Sequence, residues 1–119
     1  TKDNTGMTLN IAFDYGGRND IVEATKIVTS KVLSGEIMID EVDEVYLQNH
    51  LYVTSNIDLL IRTSGELRVS NFLLWQMAYA EFYFTKCLWP DFNVKELYKA
   101  IKSFNKRKRR FGGLNREVK

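Results

Sequence analysis

The stretch DLLIRTSGELRVSNFLLWQMAYAEFYF, residues 58–84, decides the fold because two apolar runs flank a polar loop. Its first run, IDLLIR, shows no alternation of apolar and polar residues, which is typical of a strand covered on both faces. Ser70 or Asn71 is predicted to cap a helix through FLLWQMAYAEF. The short aromatic run FYFT predicts a further strand. Strands and helices in this alternating order favour a parallel α/β sheet.

The N-terminal part of the chain repeats this order. The apolar run MTLNIAFDY, Met7–Tyr15, predicts a buried strand, because it ends at a pair of glycines that are typical of a turn. Asp20 and Glu23 have the spacing of a capping box at the start of a helix. This helix is expected to end at Gly35, a residue type that commonly terminates helices.

Two more helices complete the expected fold. A short one is predicted to run from Asp40 through EVDEVYLQNHL, and Asn93 with Glu96 is predicted to cap the last one. The sheet then has only two or three parallel strands, fewer than parallel sheets usually contain. We therefore expect a partial α/β domain over residues 1–119, with a parallel sheet flanked by helices, that forms part of a larger sheet.

Composition indicates a single packed domain with one local basic run. The 119 residues are 45% hydrophobic and carry a net charge of +2. KRKRR, Lys106–Arg110, accounts for five positive charges, so the rest of the chain carries −3. The run follows a predicted helix and opens a basic tail that extends from about residue 106 to 119. A charge run in this position is typical of a solvated tail that the helix dipole favours. Binding to nucleic acid or to an anionic membrane surface is the alternative.

The cellular location is inferred from sequence features that would mark export. Cys87 is the only cysteine, so no internal disulfide can form and a reducing compartment is favoured. Its apolar neighbours favour a small buried side chain over a nucleophile. The N-terminus lacks the layout of a signal peptide, and no apolar run reaches the length of a membrane span. We expect a soluble, cytoplasmic protein.

The polar loop between the two apolar runs has the components of a diphosphate site. It follows the carboxyl end of a predicted strand, where open α/β sheets bind ligands. Arg62 and Arg68 offer planar donors to phosphate oxygens, and Ser70 stands at a predicted helix start that favours an anion. Spacing alone supports equally well a solvated loop whose arginines pair with Glu66 and Asp58.

Two further features allow more than one interpretation. Glu81 lies among apolar residues, where a carboxylate is costly unless it is paired or binds a metal. Mg²⁺ beside a diphosphate is one explanation, and an exposed helix face or pairing with Arg62 or Lys86 is the other. YGGR, Tyr15–Arg18, is consistent with a phosphate loop or with a plain turn.

These segments, with NIAFDYGGRNDI, LWPDF and RRFGG, closely resemble the C-terminal half of undecaprenyl diphosphate synthases, which are cis-prenyltransferases. The resemblance extends from about residue 6 to residue 113. It implies a parallel α/β fold and a homodimer. It also implies a transferase that condenses isopentenyl diphosphate with farnesyl diphosphate in the presence of Mg²⁺. The product would be a di-trans,poly-cis-undecaprenyl carrier for bacterial cell-wall sugars.

The resemblance also assigns roles to residues of the loop and its surroundings. It implies that Arg62, Arg68 and Ser70 hold the diphosphate of isopentenyl diphosphate. Glu66 would support them, and Glu81 would bind Mg²⁺. Gly112 and Gly113 would offer backbone N–H groups to the site of the neighbouring subunit. The apolar side chains of Leu9, Ile11 and Phe13 would line the product tunnel.

The resemblance covers only half of that family's pattern. The catalytic aspartate loop that binds the allylic diphosphate has no counterpart here, so we expect no catalytic residue in this chain and most of the farnesyl diphosphate site elsewhere. Alone, the chain is expected to be inactive, and a transient membrane-surface contact would serve product release. A non-catalytic partner subunit is the alternative. A nucleic-acid-binding module ranks lower, and no nucleic acid is expected as a partner.

Overall fold

The computed structural model describes residues 3–107 and places a two-stranded parallel sheet among helices. This arrangement confirms the predicted fold class, a partial parallel sheet with flanking helices. The helices and strands, with two short 3₁₀ turns, are α1 (Gly17–Leu33), the turn Ile39–Glu41, α2 (Glu44–Gln48), β1 (Leu59–Arg62), β2 (Glu81–Phe84), the turn Trp89–Asp91 and α3 (Val94–Asn105).

The sheet forms where the runs IDLLIR and FYFT predicted strands. In register, Leu59 of β1 pairs with Glu81 of β2, and Arg62 pairs with Phe84. Leu60 is buried and its neighbours in β1 are half-buried, so the strand is largely covered. Because the strands are parallel, the loops that follow both of them lie at the same edge of the sheet.

Helix α1 begins earlier than the sequence suggested. Gly16 is its N-cap residue, so the capping box predicted for Asp20 and Glu23 is wrong. The physical reason is that the Asp20 side chain turns inward and is buried, where it accepts a hydrogen bond from the Tyr15 hydroxyl at 2.8 Å. The expected end is confirmed, since the helix stops at Leu33 and Gly35 follows with a φ of 76°.

The predicted strand Met7–Tyr15 is wrong, because no part of this segment forms a strand. A strand needs a neighbour that satisfies its backbone N–H and C=O groups, and within residues 3–107 the only strands, β1 and β2, pair with each other. The apolar side chains of the segment are correspondingly exposed, from 74% for Leu9 to 93% for Phe13.

The predicted helix after Ser70 is also wrong, because a series of turns replaces it. Ser70, Asn71 and Leu73 have positive φ values, which a right-handed helix cannot contain. Long-range hydrogen bonds favour this path over the helix. The buried Gln76 side chain donates to the Val53 carbonyl at 2.9 Å, and the backbone carbonyl of Gln76 accepts from the backbone N–H of Ile57 at 2.9 Å.

The other two helices agree with the sequence in place and differ in length. Helix α2 is shorter than predicted and has Asp43 as its N-cap, whose carboxylate accepts from the Tyr46 N–H at 2.7 Å. Helix α3 is confirmed with Asn93 as its N-cap, because this side chain accepts from the N–H of Lys95 at 2.9 Å. Its face toward the rest of the protein is centred on Ala100, which is fully buried.

A small hydrophobic core joins β1 to the turns that follow Ser70. Leu60, Leu73 and Met77 are its buried members. Partly buried side chains pack around them, namely Tyr15, Val53, Ile57, Val69 and Ala80. The core therefore fixes the segment of residues 69–77 against β1, directly beside the polar loop.

Candidate functional site

The polar loop after β1 is held by backbone hydrogen bonds to the segment after β2. The N–H groups of Ser64 and Gly65 donate to the carbonyls of Cys87 and Thr85, each at 2.8 Å. Thr85 in turn donates to the carbonyl of Arg62 at 2.9 Å. Ser64 and Gly65 both have positive φ values, 65° and 71°, which produce the tight turn. The loop is thus anchored at the carboxyl edge of the sheet, as expected for a ligand site.

The side chains predicted to bind a diphosphate lie around this loop. The Arg62 guanidinium donates through Nη2 to the Ser70 Oγ at 3.4 Å, which closes the loop across eight residues. Arg68 forms an ion pair with Glu66 through Nη1 and Oε2. The Arg68 side chain is 64% exposed, so this pair is weak and a phosphate group can displace the carboxylate. The structure therefore brings all four predicted residues to one loop.

A cavity of about 310 Å³ opens beside the two arginines. Arg62 and Arg68 provide its charged part. Its walls are otherwise apolar and come from β1 and from the segment after the loop, namely Ile57, Leu59, Leu60, Ile61, Val69 and Phe72. A ligand with an anionic end and a short hydrocarbon part matches this combination, since pockets of this kind bury apolar groups and fix orientation with a few polar ones.

Glu81 lies in a different place from the one the sequence suggested. It is the first residue of β2, not part of a helix, and it pairs in register with Leu59. Arg62 lies three positions further along β1, roughly 10 Å at the rise of a parallel strand. The Glu81 carboxylate instead forms an ion pair with Arg107, from Nη1 to Oε2 at 2.7 Å. Glu81 is therefore paired, with an arginine that sequence reasoning did not identify.

The chemistry of the donors limits how Glu81 fits a magnesium ion. Within residues 3–107 no group of three or more His, Cys, Asp or Glu side chains could hold a metal. Mg²⁺ in proteins is commonly bound by one or two carboxylates together with substrate phosphate oxygens and water. A single carboxylate such as Glu81 meets that requirement only where phosphate oxygens and water supply the remaining ligands.

The YGGR segment has the geometry of a tightly packed turn. Gly17 and Arg18 donate their N–H groups to the carbonyl and side-chain Oδ1 of Asn71, at 2.7 and 2.9 Å. A Cβ atom on Gly16 would lie 2.9 Å from the Asn71 Nδ2, so a larger residue there would require the Asn71 side chain to shift. These two amides at the start of α1 are already bonded, which favours the turn over a phosphate loop.

Three residues of structural importance were not found by sequence reasoning. Asn71 was expected to cap its own helix, but it caps α1. Asp20 was expected at a helix terminus and is a buried acceptor. Arg107 belongs to the basic run and contacts β2. The sequence carried a signal only for Asp20 and Asn71, residue types that favour caps. The partner of Asn71 lies 53 residues away, whereas Asp20 bonds both to the nearby Tyr15 and to the distant Tyr52.

Other predicted features have a less direct outcome. Cys87 is half-buried, and burial together with the carboxylates of Glu96 and Asp91 raises the pKa of its thiol, consistent with an unreactive side chain. Gly112 and Gly113, like the rest of the basic tail beyond residue 107, lie outside the described residues. No helix among residues 3–107 has the length and apolar character that crossing a membrane requires.

Comparison with known proteins identifies the family. Residues 1–112 match the family described as "Putative undecaprenyl diphosphate synthase". A Pasteurella multocida protein named ditrans,polycis-undecaprenyl-diphosphate synthase ((2E,6E)-farnesyl-diphosphate specific) is 55% identical over 95% of this chain and 48% of its own length. The chain thus spans about half the length of the curated relatives it matches.

Solved structures agree with this match. Lavandulyl diphosphate synthase from Lavandula x intermedia, in complex with dimethylallyl diphosphate, superposes with a TM-score of 0.87. The two are 44% identical over 94% of this chain and 49% of that one. A probable undecaprenyl diphosphate synthase from Campylobacter jejuni gives 0.70 at 37% identity, over 83% of this chain and 44% of that one. The chain therefore belongs to the undecaprenyl diphosphate synthase family of prenyltransferases.

Proposed function

We propose that this chain supplies the isopentenyl diphosphate site of a cis-prenyltransferase that extends farnesyl diphosphate into a di-trans,poly-cis-undecaprenyl chain. The observation that carries the proposal is the cavity with Arg62 and Arg68 at its charged end and aliphatic side chains along its walls. Isopentenyl diphosphate has the same two parts, a diphosphate and a five-carbon hydrocarbon.

The residues of the loop act in this reaction by binding and orienting the nucleophile. Arg62 and Arg68 hold the diphosphate through charge-assisted hydrogen bonds, and Ser70 adds its hydroxyl. The apolar walls take the hydrocarbon, so that its double bond is directed toward the allylic carbon of the second substrate. Fixing this orientation lowers the entropic part of the barrier.

Glu66 has a supporting role in this arrangement, because its carboxylate pairs with the Arg68 guanidinium until a phosphate group takes its place. Glu81 is the residue of this chain that would hold Mg²⁺ together with phosphate oxygens. The ion, when bound, neutralises charge on the diphosphates.

The proposal extends to assembly and location. We place most of the farnesyl diphosphate site, and the catalytic aspartate, outside this chain, so that the 119 residues alone are inactive. The active form is a homodimer in the cytoplasm, with Gly112 and Gly113 contributing to the partner's site and a transient membrane-surface contact for product release.

The test of the substrate site is calorimetric titration of the chain with isopentenyl diphosphate. Arg68→Ala should weaken binding by about 1.5–3 kcal/mol, or roughly 10- to 150-fold, the range for a hydrogen bond to a charged group. Lys95→Ala, which removes an exposed cation in the first turn of α3, is the matched control and should leave binding unchanged. Equal affinities for Arg68→Ala and the unmodified chain would contradict the assignment.

A transfer assay tests the activity separately. In a chimera, this chain replaces the matching half of the Pasteurella multocida relative, and incorporation of isopentenyl units into farnesyl diphosphate is measured. We expect elongation by the chimera and none by the chain alone. A folded dimeric chimera that binds isopentenyl diphosphate but does not elongate would indicate a non-catalytic partner subunit instead.

A further inference from the structure

Arg107 connects the end of α3 to the start of β2. Its Nη1 donates to the Glu81 Oε2 at 2.7 Å and to the Phe82 carbonyl at 2.9 Å. Ion pairs such as Lys26–Glu23 are local to one helix, whereas this bridge joins residues 26 positions apart. The two side chains are 36% and 27% exposed, so solvent screens the bridge only in part.

The bridge uses the same carboxylate that the proposed function assigns to Mg²⁺. A guanidinium and a divalent cation both bind carboxylate oxygens, and two positive charges within a few ångströms of each other repel. The second hydrogen bond, to the Phe82 carbonyl, keeps the guanidinium beside Glu81 even when one bond is lost. A cation that approaches Glu81 must therefore displace Arg107 or bind against its charge.

We propose that Arg107 and a divalent cation compete for Glu81, so that cation binding releases the end of α3 from β2. This inference rests on the proposed role of Glu81 as a magnesium ligand. By thermodynamic linkage, the cation weakens the bridge by the same factor as the bridge weakens cation binding. Arg107 is thus a positioning residue that acts through Glu81. It couples occupation of the metal site to the point where the basic tail begins.

The test is a magnesium chloride titration of the ¹⁵N-labelled chain in the presence of saturating isopentenyl diphosphate, followed by nuclear magnetic resonance, with sodium chloride at matched ionic strength as the salt control. The backbone amides of β2 report occupation of Glu81, and the Arg107 Nε–H resonance reports the bridge. In the unmodified chain we expect both to shift together with magnesium. Arg107→Gln should bind magnesium roughly three- to tenfold more tightly, the factor expected when an opposing partly exposed charge is removed.

Two variants keep this result interpretable. Lys102→Gln removes a cation from the last turn of the same helix, one that forms no ion pair within residues 3–107, and should leave the magnesium affinity unchanged. Glu81→Gln should abolish the magnesium-dependent shifts in β2 and move the Arg107 resonance to the position of a free arginine before any magnesium is added.

The possible failures are distinct. If magnesium shifts the β2 amides through Glu81 but the Arg107 resonance stays fixed and Arg107→Gln has unchanged affinity, competition is wrong and the proposed metal role stands. If magnesium shifts nothing near Glu81 in either chain, beyond the sodium control, the metal role of Glu81 fails and the competition fails with it. The isopentenyl diphosphate titration is independent of both outcomes.

Discussion

The buried carboxylate of Asp20 gives the sharpest stability prediction. It is 2% exposed and accepts hydrogen bonds from the Tyr15 hydroxyl at 2.8 Å and from the Tyr52 N–H at 3.0 Å. The Gln76 amide lies at 3.4 Å from the same carboxylate. Because a buried anion is stable only when it is well solvated by donors, loss of one donor has a measurable cost. We predict that Tyr15→Phe destabilises the fold.

The magnitude follows from the contacts that this substitution keeps and removes. The phenylalanine ring preserves the edge contacts of Tyr15 with Tyr52 and Phe72, at centroid distances of 6.4 and 5.8 Å. The substitution removes the hydroxyl bond to Asp20 and the hydroxyl's hydrogen bond with the Leu73 backbone, and the first of these, to a carboxylate, is the stronger. A hydrogen bond to a charged group contributes about 1.5–3 kcal/mol, and because Tyr15 is half-buried we expect a cost near the lower end, about 1.5–2 kcal/mol.

The assay is urea unfolding followed by tryptophan fluorescence. Tyr52→Phe is a matched control, since it makes the same chemical change on a side chain that is 72% exposed and that reaches Asp20 through its backbone N–H. The free energy of unfolding of this control should stay within about 0.5 kcal/mol of the unmodified protein. Equal destabilisation by the two substitutions would refute the role given to the Tyr15 hydroxyl.

The same hydroxyl gives a pH dependence with a definite sign. Burial, and then the hydrogen bond and charge of Asp20, raise the pKa of Tyr15 above its ordinary value of 10.0. A group with a raised folded-state pKa stabilises the protein fully below its unfolded pKa and loses that contribution as the pH rises above it. The stability difference between the unmodified protein and Tyr15→Phe should therefore stay constant up to about pH 9 and shrink as the pH rises above 10.0, the ordinary pKa of tyrosine. A constant difference would contradict this assignment.

Two further predictions concern packing and reactivity. Gly17→Ala should destabilise the protein by about 1–3 kcal/mol in urea unfolding, because its Cβ would lie 3.0 Å from backbone and side-chain atoms of the adjacent turn. Gly6→Ala, with nothing within 4 Å, is the control, and equal effects would contradict the reasoning. The raised pKa of Cys87 predicts slower alkylation by iodoacetamide at neutral pH than for a free cysteine, and a faster rate would show an activated thiol instead.

The parts of the fold that the sequence predicted depend on local signals. Both strands of the sheet are short, largely apolar runs, a pattern typical of strands. Helix α3 has an N-cap asparagine and an uninterrupted amphipathic repeat. Gly35 terminates α1 because its positive φ is accessible to glycine without strain. In each case the information lies within a few residues of the element itself, so a single sequence is sufficient.

The parts that failed depend on distant partners. The segment of residues 71–80 has good helical propensity, yet Asn71 and Gln76 bond to α1 and to residue 53, far away in the chain. The N-terminal apolar run could form a strand only beside another strand, and sequence periodicity does not show whether one is present. Tertiary contacts overrode local preference in the first segment, and in the second no strand among residues 3–107 is available as a partner.

The candidate site shows the same division. Arg62, Arg68 and Ser70 lie within nine residues, so loop closure alone places them together and the sequence could predict their proximity. Glu81 was identified as a costly carboxylate in need of a partner, which is correct, but its partner Arg107 lies 26 residues away. An ion pair between separate elements leaves no local pattern. The sequence therefore indicated that Glu81 requires a partner, but not that the partner is Arg107.

The segment of residues 69–77 contacts the cavity, the core and α1, and these contacts position Ser70 in the candidate site. It supplies Val69 and Phe72 to the cavity wall, and Leu73 and Met77 to the core against β1. Through Asn71 it also bonds the start of α1. Because these contacts are distributed along one short segment, Ser70 is positioned by packing on β1 and α1 rather than by a helix of its own. The geometry of the candidate site is therefore a tertiary property of the described fold, although its charged residues come from one loop.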